Sequence, residues 1–307
     1  MQKFTIYVAE PDTIEIDLIK EILKDANYHL IEGSPDFSKG DAATCDTLII
    51  RSVAQVDATI KQKMPHLARV ARVGTGLDNV DLDFCAKENI AVYNAPGANA
   101  EAVADYAIAV TMMALRKLHL LQPADVASWN RFKFTGYDIA TRTVGIVGFG
   151  NIGNILYKKF RGLGCRDFLV YDPFIKQAPE YAQLMSLDEL VKKSDIISLH
   201  VPLLPQTKHC IGIQNIGTLK EGAILLNASR GGIVDEDAVI EALQTKQFTY
   251  IADTVEGEPS VNPGLLNNED VIITPHIASL TRGAEAAMVV GAITNLLADK
   301  RAVVIGR

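Results

Sequence analysis

Residues 143–153 read TVGIVGFGNIG: a short apolar strand, TVGIV, runs straight into three glycines, Gly148, Gly150 and Gly153, and then into a stretch of helical spacing. A strand that turns through glycines into a helix brings a dinucleotide pyrophosphate onto the backbone N–H groups of the helix N-terminus, here around Asn151 and Ile152. A second apolar run, FLVY at 168–171, ends on Asp172, 24 positions beyond Gly148. A carboxylate there accepts hydrogen bonds from both hydroxyls of an adenosine ribose and repels a 2'-phosphate. The expected cofactor is therefore NAD rather than NADP.

Working outward, the pattern after residue 143 alternates strictly. The strands read TVGIVG, DFLVYD, DIISLH, GAILLNAS, YIADTV and DVIITPH, and helical stretches fall mostly between them, at 149–161, 187–192, 212–219 and 233–245. Short, nearly continuous apolar runs are what parallel strands buried on both faces require, so this half reads as a doubly wound sheet. Upstream lies a smaller α/β pattern. FTIYVA at 4–9, TLIIR at 47–51, ARVAR at 68–72 and NIAVYN at 89–94 read as strands, with helices at 12–27 and around 55–64. Residues 94–119 begin with turn residues and continue as a long helix, a connector between two lobes. Residues 121–142, which hold the single tryptophan, Trp129, have little period and are expected to wrap over a surface. A last helix spans 281–296, and VVIG at 303–306 is expected to return to the first lobe. The expectation is an α/β protein of two doubly wound parallel-sheet lobes. A Rossmann-like NAD-binding lobe, 98–280, is inserted in a discontinuous smaller lobe, 1–97 and 281–307.

Composition narrows the function classes. The formal charge is −7 and neither end carries a basic block, which disfavours nucleic-acid binding. The cysteines, Cys45, Cys85, Cys165 and Cys210, form no CxxC and no metal-ligand cluster with histidine, so they read as buried free thiols in a reduced compartment, and no metal is expected. The N-terminus has no signal-type apolar core. The longest apolar run, YAIAVTMMAL at 106–115, falls well short of the roughly 20 residues of a membrane span. A cytoplasmic protein without membrane association is expected.

Eight ordered motifs carry a resemblance over almost the whole chain: RS at 51–52, ARVGTGLDNVD at 71–81, YNAPGANAEAVAD at 93–105, GFGNIG at 148–153, LHVPLLPQT at 199–207, NASRGGIVDE at 227–236, DTVEGEP at 253–259 and TPHIA at 274–278. Together they resemble the D-2-hydroxyacid dehydrogenase family, and its phosphoglycerate dehydrogenase branch in particular.

The resemblance implies a role for each position. His276 is the general acid/base, a job suited to a ring that titrates near neutrality and faces two partners. Glu258 is the carboxylate that holds that ring. Glu256 is the alternative, although the five-residue step from Asp253 and the following Pro259 match the family pattern at Glu258. Arg230 grips the substrate carboxylate with a planar fork that lysine does not offer. Asp253 bonds the nicotinamide carboxamide. Thr75, Val201, Pro202, Thr207, Ala228 and Ala278 line the cofactor cleft, while His200 in the HVP turn is structural. For the substrate, Arg51, Arg72, Arg131 and Lys133 are the expected phosphate-side contacts, Ser52 is a further expected substrate contact, and the loop containing Gly74 offers N–H groups to a carboxylate. Two small departures are Asp105, where the family commonly has Glu, and Thr254-Val255, where VF is usual.

The implied reaction is NAD-dependent oxidation of D-3-phosphoglycerate to 3-phosphohydroxypyruvate, the entry step of serine synthesis. The alternatives are reduction of glyoxylate, hydroxypyruvate or another 2-keto acid, and a non-enzymatic NAD-sensing corepressor. The resemblance also implies a homodimer paired through roughly 99–142. Since the chain ends soon after its last helix, a form without the regulatory serine-binding domain is expected.

Overall fold

The structure, a computed structural model, describes residues 3–302. The expected strand at 303–306 lies outside them. The chain divides into two compact units, one drawing on residues up to Asn99 and from Leu280 onward, the other formed by Ala100–Ser279.

The first unit contains β1 (Lys3–Val8), α1 (Ile16–Ile22), β2 (Asn27–Glu32), β3 (Thr47–Ile50), α2 (Ile60–Lys63), β4 (Arg69–Arg72), α3 (Leu82–Lys87) and β5 (Ala91–Tyr93). The strands form one parallel sheet in the order β2-β1-β3-β4-β5. Alternation along β1 sends Ile6 and Val8 into one apolar layer and Tyr7 into the other. The returning helix, Arg282–Leu297, is capped by the Thr281 side chain, which accepts the Ala284 N–H. Its Met288, Val289, Ile293 and Leu296 enter the same layer as Ile6, Val8, Ala71 and Tyr93. Each such burial is worth about 1.5–3 kcal/mol, which fastens this late segment to the sheet. The expected helix at 12–27 is shorter. It stops at Ile22 because residues 27–32 are an edge strand whose residues are only half-buried or exposed.

The second unit comprises α4 (Ala100–Leu115), α5 (Pro123–Ala127), β6 (Val144–Val147), α6 (Asn151–Gly162), β7 (Phe168–Tyr171), β8 (Ala182–Leu184), α7 (Leu187–Lys193), β9 (Ile196–Leu199), β10 (Ala223–Asn227), α8 (Glu236–Leu243), β11 (Phe248–Ala252), α9 (Pro263–Leu266) and β12 (Val271–Ile273). Its parallel sheet runs β12-β11-β10-β9-β6-β7-β8. The strand order reverses between β6 and β9, where Val147 pairs with Leu199, and in doubly wound sheets ligands bind beyond the strand ends at such a point. One face packs on the alanine-rich side of α4, including Ala104 and Ala107, and the other on α7 and α8. Lys159 of α6 reaches Glu101 and Asp105 of α4 at 2.8 Å each. Residues 212–219, expected as a helix, form only a short turn at Ile216–Thr218. Asn215 closes that segment on itself, its side chain accepting the Gly212 N–H and donating to the Cys210 carbonyl.

Among the described residues no helix is long and apolar enough to cross a membrane, and no group of three or more His, Cys, Asp or Glu side chains is arranged to hold a metal. Cys45, Cys85 and Cys165 are buried free thiols and Cys210 is half-buried.

Candidate active site

The glycine loop leaves β6 and enters α6 through three glycines with separate geometric demands. Gly148 sits at φ +89°, where a Cβ would come within 2.5 Å of the His200 carbonyl oxygen. A Cβ on Gly153 would lie 2.2 Å from the Gly148 carbonyl oxygen, so that position sets the closeness of helix to strand. Gly150, by contrast, faces open space, with nothing within 4 Å of its would-be Cβ, and no side chain caps the helix that follows. The N–H groups at the start of α6, around Asn151 and Ile152, have no partner one turn back in the helix. That combination fits a pyrophosphate laid on the helix end. Asp172, just past β7, accepts the Phe149 N–H at 2.7 Å on one carboxylate oxygen and the Phe174 N–H at 2.8 Å on the other. It therefore braces the loop and brings negative charge to the place where an NAD ribose is expected. On the opposite side of the switch point, Val201 packs against Gly148. Thr207 donates its hydroxyl to the Pro202 carbonyl at 2.6 Å and closes the 201–208 turn. His200 bonds Ser198 Oγ through Nε2 at 2.8 Å and buries its Nδ1, and burial pushes the ring down to about 4.

His276 lies beyond β12 in the same unit, and its Nδ1 is 3.1 and 3.2 Å from the two carboxylate oxygens of Glu258. Glu256, the competing carboxylate, is held elsewhere, 2.9 Å from His209 Nε2. The backbone of His276 is in the left-handed region, φ +54°, a conformation that costs an L-residue about 1–2 kcal/mol. Its surroundings hold it there. The His276 N–H donates to the Asp253 carbonyl at 2.8 Å, and the Asp253 carboxylate accepts the N–H groups of Ile277 and Ala278, each at 2.8 Å. Asp253 is only 2% exposed. The Thr274 hydroxyl is a third donor to the same carboxylate, at 2.6 Å, so Asp253 braces the His276 turn through three bonds.

Arg230 follows β10 in extended backbone. The buried Asn227 ties its turn, accepting the Ser229 N–H and donating to the Arg230 carbonyl at 2.8 Å, and the intervening Ala228 lies in that turn. Arg230 Nη1 donates to the Ser229 carbonyl at 2.7 Å. A Cβ on Gly231 would come within 2.1 Å of the Val255 carbonyl, so the Arg230 turn and the strand exit leading to Glu258 touch backbone to backbone. The second unit thus brings together the glycine loop, Arg230, Asp253, Glu258 and His276 on the C-terminal side of one sheet.

The remaining expected residues divide between the units. In the first, Arg51 is engaged by Glu285 at 2.8 Å and by the Thr13 carbonyl. The Arg72 guanidinium lies on Gly74, where φ is +148° and a Cβ would fall 1.5 Å from Nη1. Thr75 shares its hydroxyl between the Ala95 carbonyl and Asn99 Oδ1. In the second, Lys133 pairs with Asp125 at 3.1 Å, and Arg131 stacks over Phe132. Sequence reasoning missed Glu10. Its buried carboxylate at the end of β1 accepts the N–H groups of Arg51, Ser52, Val53 and Ala54, filling the turn that follows β3. It missed His209 as the partner of Glu256 as well. Neither contact joins residues close in sequence, so spacing carries no signal for them.

Residues 108–278 match the model of the D-isomer specific 2-hydroxyacid dehydrogenase NAD-binding domain. A D-3-phosphoglycerate dehydrogenase of Archaeoglobus fulgidus is 37% identical over 78% of this chain, and the match spans about half of that relative, 46%. A hydroxypyruvate reductase of Thermotoga maritima is 32% identical over 93% of this chain and 94% of its own length. Among solved structures, an NAD⁺-bound 3-phosphoglycerate dehydrogenase of Entamoeba histolytica superposes with a TM-score of 0.80 at 27% identity, covering 96% of this chain and 94% of that one. The chain belongs to the D-isomer specific 2-hydroxyacid dehydrogenase family, and its second unit carries that family's NAD-binding domain.

Proposed function

We propose that the protein interconverts a D-2-hydroxy acid and its 2-keto acid with NAD, and that D-3-phosphoglycerate is its substrate, oxidised to 3-phosphohydroxypyruvate at the entry to serine synthesis. The observation that carries the chemistry is the His276–Glu258 pair at 3.1 Å, on the unit that bears the glycine loop. With Nδ1–H on Glu258, the free Nε2 of His276 takes the substrate hydroxyl proton. Arg230 grips the substrate carboxylate and steadies charge on the oxygen at C2. Bound NAD would supply the acceptor for the hydride leaving that carbon. Asp172 selects NAD over NADP.

Support for phosphoglycerate comes from the Archaeoglobus relative and from Arg51 and Arg72 at the ends of neighbouring strands, with Arg131 and Lys133 as further phosphate partners. A second reading, reduction of hydroxypyruvate or glyoxylate, is favoured by the nearly full-length match to a hydroxypyruvate reductase and by the engagement of Arg51 with Glu285. The assembly we infer is a homodimer. Initial rates for phosphoglycerate, glycerate and D-lactate in oxidation, and for hydroxypyruvate and glyoxylate in reduction, each with NAD(H) and NADP(H), test both readings. The highest kcat/KM is expected for phosphoglycerate with NAD, and Arg72→Ala is expected to raise its KM far more than that of D-lactate. A higher kcat/KM for an unphosphorylated acid overturns the phosphoglycerate reading, and equal use of NADP overturns the role of Asp172.

A further inference from the structure

We propose that Tyr106 and Thr274 are positioning residues for His276, acting through Asp253; this deepens the reading of His276 as the acid/base and rests on it. The Thr274 hydroxyl donates to Asp253 Oδ1 at 2.6 Å, and the Tyr106 phenol oxygen lies 2.6 Å from Thr274 Oγ1. A hydroxyl has one proton. Thr274 gives its proton to the carboxylate, so the proton between the two hydroxyls comes from Tyr106. The line of donation therefore has one direction: Tyr106 to Thr274 to Asp253.

The far end of that line is the catalytic turn. The two Asp253 oxygens accept the Ile277 and Ala278 N–H groups, which immediately follow His276, and the Asp253 carbonyl accepts the His276 N–H itself. A planar carboxylate buried to this degree is fixed by its donors. If its plane rotates, the two N–H groups lose their alignment and the left-handed backbone at His276 is no longer over-determined. Among the described residues the Thr274 hydroxyl is the side-chain donor to that carboxylate, and Tyr106 sets the Thr274 rotamer from helix α4. Burial of the phenol pushes Tyr106 up to about 12, so it remains a proton donor throughout the working range. What the network delivers is the aim of Nε2 while Nδ1 rests on Glu258. Small errors in such an aim cost up to about 10²-fold in rate.

The test compares Thr274→Val, Thr274→Ser, Tyr106→Phe and His276→Ala with the parent protein. It reads kcat, KM for NAD, the pH profile of kcat, the thermal midpoint and the imidazole resonances of His276 in the free protein. Thr274→Val should lower kcat about tenfold with KM for NAD within about twofold, shift the pH profile and move the His276 resonances. Thr274→Ser should restore all three, since it returns the hydroxyl, and Tyr106→Phe should fall between. Parental kcat and parental His276 resonances in both Thr274→Val and Tyr106→Phe overturn the proposal. So does a Thr274→Ser variant as impaired as Thr274→Val. Should Thr274→Val fail to fold, Tyr106→Phe, which removes only a half-buried hydroxyl, decides alone. Parental turnover in His276→Ala overturns the acid/base reading itself, whereas an inactive His276→Ala beside an unimpaired Tyr106→Phe and Thr274→Val overturns only the positioning role.

Discussion

His276 faces Glu258 with one ring nitrogen, and the acid/base role proposed for the other sets what each change should cost. His276→Ala removes the proton acceptor and should lower turnover about 10²–10⁴-fold while NAD binding, read by fluorescence titration, stays nearly parental. Glu258→Gln keeps a hydrogen-bond acceptor but loses the charge, so a smaller loss is expected. A severe loss at Glu256→Gln with none at Glu258→Gln would reverse the assignment, although Glu256 is paired with His209. At this scale the pairing of His276 with Glu258 was readable because residue type and local motif coincide, Glu258 before Pro259 and His276 after Pro275. Contacts between distant parts of the chain were unreadable. Glu10 meets residues 51–54, and Tyr106 meets Thr274 across 168 positions, and nothing in either residue's own neighbourhood announces its partner.

Strands buried on both faces announced themselves as apolar runs, and five strands of the second unit's sheet, β6, β7, β9, β10 and β11, were legible for that reason. Of the edge strands, β5 and β12 were read as strands, but β2 and β8 were not. β2 reads NYHLIE with no buried residue, and β8 is only AQL, so neither has the pattern that burial imposes. The glycine loop between β6 and α6 offers a sharper test at element scale, because two of its glycines should fail differently. A Cβ at Gly153 strikes the Gly148 carbonyl, so Gly153→Ala should force strand and helix apart and lower the thermal midpoint with or without NAD. Gly150 has ordinary φ of −75° and an open neighbourhood, so Gly150→Ala should fold as the parent does. Its methyl group nevertheless enters the space assigned to the pyrophosphate, and NAD affinity should drop about tenfold, equivalent to about 1.4 kcal/mol. Calorimetry of both variants separates the two outcomes. Parental NAD affinity in Gly150→Ala would place the pyrophosphate elsewhere.

Across the whole molecule, two properties follow from what is buried and what is not. Burial holds His200 at about 4 in the folded protein, below the roughly 6.5 of an unfolded histidine. The unfolded chain therefore binds more protons between those values, and the His200 contribution is complete above about pH 6.5 and is lost as pH falls toward 4. Urea unfolding should show about 1–2 kcal/mol less stability at pH 5 than at pH 7 from this group, a difference that His200→Gln should remove. The second property is an apolar surplus on the surface. Trp129 and Phe132 are each 77% exposed and Leu118 57%, with Leu121, Val126 and Tyr137 in the same segment of the second unit. Val126 lies on the short helix Pro123–Ala127 and Phe132 on the turn Arg131–Phe134, where Arg131 stacks over the Phe132 ring. Exposed apolar side chains clustered in one segment are a candidate contact face for the dimer proposed above. A second copy of the chain is the occupant we infer, so sedimentation at micromolar concentration should give about twice 33.4 kDa. Trp129→Asp combined with Phe132→Asp should return it to the single-chain mass, since two buried carboxylates without partners cost more than the interface regains. A parent protein that sediments as a monomer removes the dimer. A tetramer that the double change reduces to a dimer keeps this face as an interface and reveals another.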